Sequence, residues 1–232
     1  MVVVRNDIEI KPSDYVRSGF KANGADISSI KEEAELLFII NKPTKEMMDA
    51  YTLDILNPVR QNDLEKVIDL HQSGILTMNC CNKFGESLLH LACRRGYTSI
   101  VRYLIDEVRV NVNIRDDYRR TPLHDACWTT KPVYDLVDML IRLAPHQLLL
   151  EDIRGYTPFD YVRSEHQGKW LRFLWERKDI LRPLETNHQV DITPEASNNT
   201  KDDHDSTTTE EDGKIDASIS SSSSSSTKEE AT

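Results

Sequence analysis

The chain has 232 residues with 29 basic and 39 acidic side chains, a formal charge of −10 that is concentrated at one end: 12 acids and 3 bases follow from Glu185, leaving 27 and 26 before it. A length of this order admits one domain with flanking arms, and a near-neutral body exerts little long-range pull on phosphate. No apolar run approaches the ~20 residues of a membrane span, and Met1-Val2-Val3-Val4-Arg5 lacks the form of a secretory signal, so membrane insertion is not expected and the expected compartment is cytoplasmic, nuclear or both. The four cysteines suit a reducing compartment.

Residues 1–44 read as an adaptable N-terminal arm, with breakers at Lys11-Pro12-Ser13 and Asn23-Gly24. One helix is predicted there, from Ser29 to Ile40, capped by Ser28 or Ser29; Glu32 stands three residues after Ser29, as a capping box asks. From residue 45 onward the chain repeats itself in a register of 34: Val67 and Leu70 answer Val101 and Leu104, and Asn79 to Asn82 answers Asn113 to Asp116. The first unit, about 45–80, predicts a second helix from Asp63 to His71, capped by Asn62 or Asp63 and stopped at Gly74. Its first helix is placed in doubt by Pro58, which lacks a backbone donor.

In the second unit, about 81–114, Ser87 caps a helix to Arg95, Gly96 ends it, and Thr98 opens another to about Glu107. Ile100, Val101, Leu104 and Ile105 mark its buried face. The third unit, about 115–150, repeats that face as Leu136, Val137, Leu140 and Ile141, 36 residues on, so two residues are inserted near Thr129 to Pro132. The fourth, about 151–182, offers Trp170, Leu171, Leu174 and Trp175, large groups suited to an end unit without a further neighbour. Residues 183–232 are acidic and Ser/Thr-rich, with serine unbroken from Ser220 to Ser226, and predict a disordered tail. Asn198-Asn199-Thr200 is read as polar tail rather than a glycosylated sequon. Thr207, Thr208, Thr209, Ser226 and Thr227 each precede an acid by three, a spacing that acidophilic kinases favour and that any such tail also produces.

Three segments carry a resemblance. Ser87-Leu88-Leu89-His90-Leu91-Ala92, Thr121-Pro122-Leu123-His124-Asp125-Ala126 and Thr157-Pro158-Phe159-Asp160-Tyr161-Val162 begin 34 and 36 residues apart. The middle one resembles the T-P-L-H-x-A signature of ankyrin repeats residue for residue. The resemblance implies an all-α helix-turn-helix solenoid of about four units over 45–182, with hairpin loops between units. It also implies that His90 and His124 bridge to the next hairpin and that Gly85 and Gly155 hold the hairpin turns. Arg119 departs from that glycine pattern, so altered geometry is expected at the third hairpin. The fourth unit departs too, with Asp160 for the histidine and Val162 for the alanine.

Chemistry has little support in the sequence. Cys93 and Cys127 beside His90 and His124 suggest a metal or redox pair, but a free cysteine at a packing position is ordinarily a small buried apolar residue. A Cys127–His124 dyad lacks an oxyanion loop or paired carboxylates around it. The expectation is no enzyme, no cofactor, no metal and no small-molecule substrate, with Cys81 the best candidate for an exposed thiol. Arg94, Arg95, Arg115, Arg119, Arg120 and Arg154 suggest an arginine-rich face for nucleic acid, the alternative reading, which a near-neutral body disfavours.

The family resemblance assigns partner contact to hairpin tips and first helices. By alignment the tips are Lys83, Phe84 and Glu86; Asp117, Tyr118 and Arg120; Ile153, Arg154 and Tyr156. The first-helix surface is Arg94 and Arg95, Trp128 and Thr129, Ser164 and Glu165. Phe84 and Tyr118 stand at equivalent positions and have a simpler use, packing on each other as a ladder. Aromatic residues and arginine are what interface hot spots favour. The expected function is a non-catalytic interaction module (adaptor, scaffold or stoichiometric inhibitor), monomeric alone, whose partner offers acidic and apolar residues. The chain's own acidic tail has that character and is a candidate mask for the surface.

Overall fold

The computed structural model describes residues 10–40 and 42–181, so the expectations for the tail and the start of the chain lie outside the described residues. Helix pairs follow one another: α1 (Pro12–Ala22) and α2 (Ile27–Leu37), strand β1 (Ile39–Ile40), then the short α3 (Lys45–Asp49). The repeating pairs are α4 (Leu53–Gln61) with α5 (Leu64–Gln72), and α6 (Leu88–Arg95) with α7 (Thr98–Asp106). After strand β2 (Ile114–Arg115) come α8 (Pro122–Cys127) with α9 (Tyr134–Leu143), a 3-10 turn (Pro145–Leu149), and then two more 3-10 turns (Pro158–Tyr161 and Ser164–His166) followed by α10 (Gln167–Glu176).

The first helices stack in one row, α4 on α6 on α8 on the 158–161 turn, and α5, α7 and α9 form the second. This is the all-α solenoid that the period implies. Its caps are those of the sequence: Asp63 accepts the Lys66 N–H at 2.9 Å, Ser87 caps α6, and Gly96 ends it at φ 73°. α4 runs through Pro58. The missing donor weakens that helix, but Ile55, Leu56, Pro58 and Val59 are all buried, and burial rather than propensity decides a short helix. In the third unit α8 stops at Cys127, and the two inserted residues enlarge the turn before α9.

Two expectations about packing change. Trp170 and Leu174 are buried, but Trp175 is 55% exposed, and Phe173 takes its place. Residues 170, 173 and 174 form the inward stripe of α10, and Tyr134 packs on Trp170 at 5.0 Å and Phe173 at 5.4 Å. Cys81, expected exposed, is wholly buried, its N–H donating to the Met47 carbonyl at 3.3 Å at the foot of the hairpin.

The region before residue 45 differs most. Its described residues form two helices where one is expected. α2 is capped by Asp26, which takes the Ser28 N–H at 3.0 Å and the Ser29 hydroxyl at 2.8 Å, and it ends at Leu37 so that Ile39 and Ile40 pair in parallel with Ile114 and Arg115. These helices are packed onto the repeats. α1 lies on α10 and the last turns of the fourth unit, with Val16 and Phe20 buried in the main core. Ala34 of α2 and Phe38 just past its end make a second small core with Ala144 and Leu150. Gly19 permits the close approach: a Cβ there sits 2.5 Å from Leu181 Cδ1. Asn23 Nδ2 then donates to the Leu181 carbonyl at 2.7 Å, so the start of the chain closes the far end of its stack.

Candidate partner-binding surface

Each hairpin is built on one side chain. Asn82 Oδ1 accepts the N–H groups of Phe84 and Glu86 at 2.9 and 3.1 Å. Asp116 does the same for Tyr118 and Arg120, both at 2.9 Å, and Asp152 for Arg154 and Tyr156 at 2.8 and 2.9 Å. The register of 34 aligns Asn82 with Asp116, and an Asn or Asp recurring once per unit ahead of a tight turn is the sequence signal for this role. Each turn closes with an N–H to the same residue's carbonyl: Gly85 at 3.0 Å, Arg119 at 2.8 Å and Gly155 at 3.0 Å.

The altered third hairpin does not occur. Arg119 adopts φ 60° beside the 75° and 80° of Gly85 and Gly155. Its side chain is held from outside, because Glu35 of α2 accepts from Arg119 at 2.7 Å and from the buried Arg115 at 2.5 Å. Adjacent hairpins are tied together by Asp117 N–H to Phe84 O and Ile153 N–H to Tyr118 O, both 2.9 Å. The tips therefore form one braced edge.

The bridging histidines lie where the resemblance put them. His90 Nε2 meets the Arg120 carbonyl and His124 Nε2 the Tyr156 carbonyl, both at 3.1 Å, while each Nδ1 serves its own helix start. Burial pushes His124 down to about 4, so the ring is neutral at pH 7. In the fourth unit Asp160 keeps the capping half of this task, accepting from Thr157 N–H at 2.9 Å and its hydroxyl at 2.7 Å. The other half becomes an ion pair with Arg17 of α1 at 3.6 Å.

On this frame the predicted contact residues divide. Lys83, Phe84, Asp117, Tyr118, Trp128, Arg154 and Tyr156 are exposed, as is Arg95. Lys83 lies 4.9 Å over the Phe84 ring, Arg120 5.1 Å over Tyr118, and Arg154 5.3 Å over Tyr156. Phe84 and Tyr118 do meet, centroids 6.3 Å apart, yet each keeps more than two-fifths of its surface open. Trp128 leans on Tyr161 at 5.7 Å and stays 45% exposed.

Others are structural. Thr129 is buried: α8 has ended, the chain turns inward, and its hydroxyl donates to the Ala126 and Lys131 carbonyls at 3.1 and 2.8 Å. Arg94 is a strut between units, donating to both oxygens of the buried Asp125 at 3.0 and 3.3 Å and pairing with Glu86. Burial pushes the Asp125 carboxyl upward against these cations. Arg120 and Arg154 are paired with Asp116 and Asp152. Of the six arginines proposed as a nucleic-acid face, five are thus engaged by carboxylates of their own chain, and Arg95 alone of them has no ion pair among the described residues.

All four cysteines are buried thiols, and burial pushes Cys80 up to about 12 and Cys93 and Cys127 upward as well. Among the described residues no cluster of His, Cys, Asp and Glu has the makings of a metal site, and no helix is long and apolar enough to cross a membrane. A pocket between Met78, Cys80, Leu88 and Val110 holds only about 30 Å³, room for a water.

The family model for ankyrin repeats, in three copies, matches residues 58–152. Residues 58–152 are ankyrin repeats. The match takes in the second and third units and the first unit from Pro58 onward, while α1, α2, α3, the start of α4 and nearly all of the fourth unit lie outside it. The chain is also similar to the E3 ubiquitin-protein ligase hecd-1 of Caenorhabditis elegans, 27% identical over 110 residues. That stretch is 47% of this chain and only 4% of the ligase, too small a share to carry an activity across. Ankyrin repeats are generally protein–protein interaction modules and typically non-catalytic.

Proposed function

We propose that the chain is a non-catalytic adaptor, scaffold or inhibitor that grips another protein along its braced hairpin edge and the Trp128 end of α8. The observation that carries this reading is the series Phe84, Tyr118, Trp128 and Tyr156, each 43–49% exposed on a backbone held by repeated hydrogen bonds. Large rings on a rigid support lose little entropy on contact, which is why Trp, Tyr and Arg dominate binding energy elsewhere. The residues proposed to touch the partner are Lys83, Phe84, Arg95, Asp117, Tyr118, Trp128, Arg154 and Tyr156, with Ser164 and Glu165 exposed beside them. The partner's matching chemistry is acidic and apolar. A monomer inside the cell, in cytoplasm or nucleus, completes the reading; the buried thiols suit a reducing compartment.

The test is affinity capture from lysate with the full chain beside a Phe84→Ser, Tyr118→Ser, Trp128→Ala variant, both checked for fold by circular dichroism. A protein held by the first and lost by the second supports the reading, and direct titration of that protein then gives its affinity. An identical catch from two folded baits overturns it.

A further inference from the structure

The stretch that joins the N-terminal helices to the repeats carries apolar surface that the fold does not use. Leu36, Leu37, Ile39 and Ile40 are 44–84% exposed, and only Phe38 among them is buried. Successive side chains of a strand point to opposite faces, so with Ile39 and Ile40 both open neither face of β1 is covered. Its outer edge is open as well. Ile39 gives its N–H to the Asn113 carbonyl at 3.2 Å in the parallel pair with β2, and the next residue along a strand turns its N–H and C=O the other way. Those of Ile40 therefore face away from β2, and among the described residues no further strand meets them.

Fixing the N-terminal helices to the stack accounts for only part of this stretch. Ala34 and Phe38 pack inward against Ala144 and Leu150, and Glu35 reaches Arg115 and Arg119. That task asks nothing of Leu36, Leu37 and Ile40, and polar residues would serve it as well. It leaves open apolar groups beside an unpaired backbone, a combination that natural sheets guard against. The guards here are partial: β1 is two residues long, and Lys42 and Pro43 follow closely. Such an edge pairs weakly through its backbone alone, so side chains and charge select what it takes. Glu32, Glu33 and Glu35 stand on its α2 side. Beyond it come Lys42 and Lys45, exposed and in no ion pair among the described residues, ahead of Glu46 and Asp49 on α3.

We infer that the open edge of β1 receives an extended segment of another protein as an added strand. The segment is apolar at alternate positions, to meet Leu36, Leu37, Ile39 and Ile40, and acidic where it passes Lys42 and Lys45. Strand addition of this kind draws affinity from main-chain hydrogen bonds and specificity from alternate side chains. None of these residues is among those proposed above to touch a partner, so the inference stands apart from the hairpin reading.

The experiment titrates the isotope-labelled full chain with a short synthetic peptide that alternates valine and threonine and closes in aspartates. Expected are nuclear Overhauser contacts between the Ile40 backbone and the peptide backbone. Exchange of the Ile40 amide should slow about tenfold, as one added hydrogen bond allows. The Trp128 indole and the Phe84 and Tyr118 amides should not move. Proline in place of every valine removes donors from the peptide and should abolish the contacts. Lys42→Glu with Lys45→Glu, a change confined to exposed side chains, should loosen the aspartate peptide about fivefold or more and favour a lysine-ended one. Absence of Ile40 contacts, equal binding of the proline peptide, or indifference to the charge reversal overturns the inference. So does protection of Ile40 that rises with the concentration of the chain alone, since the occupant is then a second copy. Capture reads the hairpin rings and this titration reads Ile40, so either reading can fail while the other stands.

Discussion

At the junction of the third and fourth units, His124 caps its own helix with Nδ1 and reaches the next hairpin's Tyr156 carbonyl with Nε2. At the fourth unit no further hairpin follows among the described residues, and Asp160 at the equivalent position keeps the cap but turns its remaining charge to Arg17 of α1. The pairing teaches what this position is for. A neutral ring suits a neighbour that presents a carbonyl, and a carboxylate suits one that presents a cation. The end of the stack is closed by a helix from the other end of the chain, so the fourth unit has a neighbour on both sides.

The largest blow to this comparison is aimed at the closing helix. Phe20 is 3% exposed, and Phe20→Ala is expected to cost about 3–5 kcal/mol, as such core truncations do. Urea unfolding measures it. A cost under about 1 kcal/mol would mean that α1 is an ornament, not a cap.

Next is an interior junction. Arg94→Ala strands the buried Asp125 and should cost about 3 kcal/mol at pH 7. The variant's Asp125 titrates still higher in the folded state than in the unfolded one. The folded chain then binds the extra proton in that window, so stability falls as pH rises through it, and acidification should recover part of the loss. Equal losses at about pH 5 and 7 would remove the buried-charge explanation.

The histidine bridge has a pH signature of comparable size. His124 is neutral in the folded state down to about 4, while an unfolded histidine protonates near 6.5. The unfolded chain therefore binds more protons between those values. The stabilisation is complete above the upper value and lost as pH falls toward the lower, by a few (~3) kcal/mol at most. His124→Gln should flatten this acid limb; an unchanged limb assigns it to other groups. The smallest test concerns the left-handed turn. Arg119→Gly relieves a steric cost of ~1–2 kcal/mol but forfeits a half-exposed pair with Glu35 worth under ~1 kcal/mol, so it should be near neutral. Arg119→Ala keeps the strain and loses the pair, and must be the less stable of the two.

Much of this fold was legible in the sequence because repeats state their rules several times. Ser87, Thr121 and Thr157 each precede a helix start, Gly96 stops one, and His90 and His124 recur at the bridging position. The candidate surface was less legible. Phe84, Tyr118, Trp128 and Tyr156 read correctly as exposed, but alignment placed Arg94 and Thr129 with them. Arg94 is claimed by Asp125 from the next unit, and Thr129 falls just past a helix that ended early. A periodic argument ranks positions; it does not see which neighbour has a carboxylate to offer.

The residues alone determined the period, the helix caps, the glycine turns and the lopsided charge, since each rests on interactions within a few residues or on an exact recurrence. Tertiary structure decided what long-range packing controls. It placed α1 against Leu181, buried Arg115 under Glu35, turned Phe173 inward in place of Trp175, and sealed Cys81 beneath a hairpin. Val16, Gly19 and Phe20 occur only once in the chain, with no repeat to announce them. Their partners lie some 160 residues away at the far end of the stack, where no local pattern points.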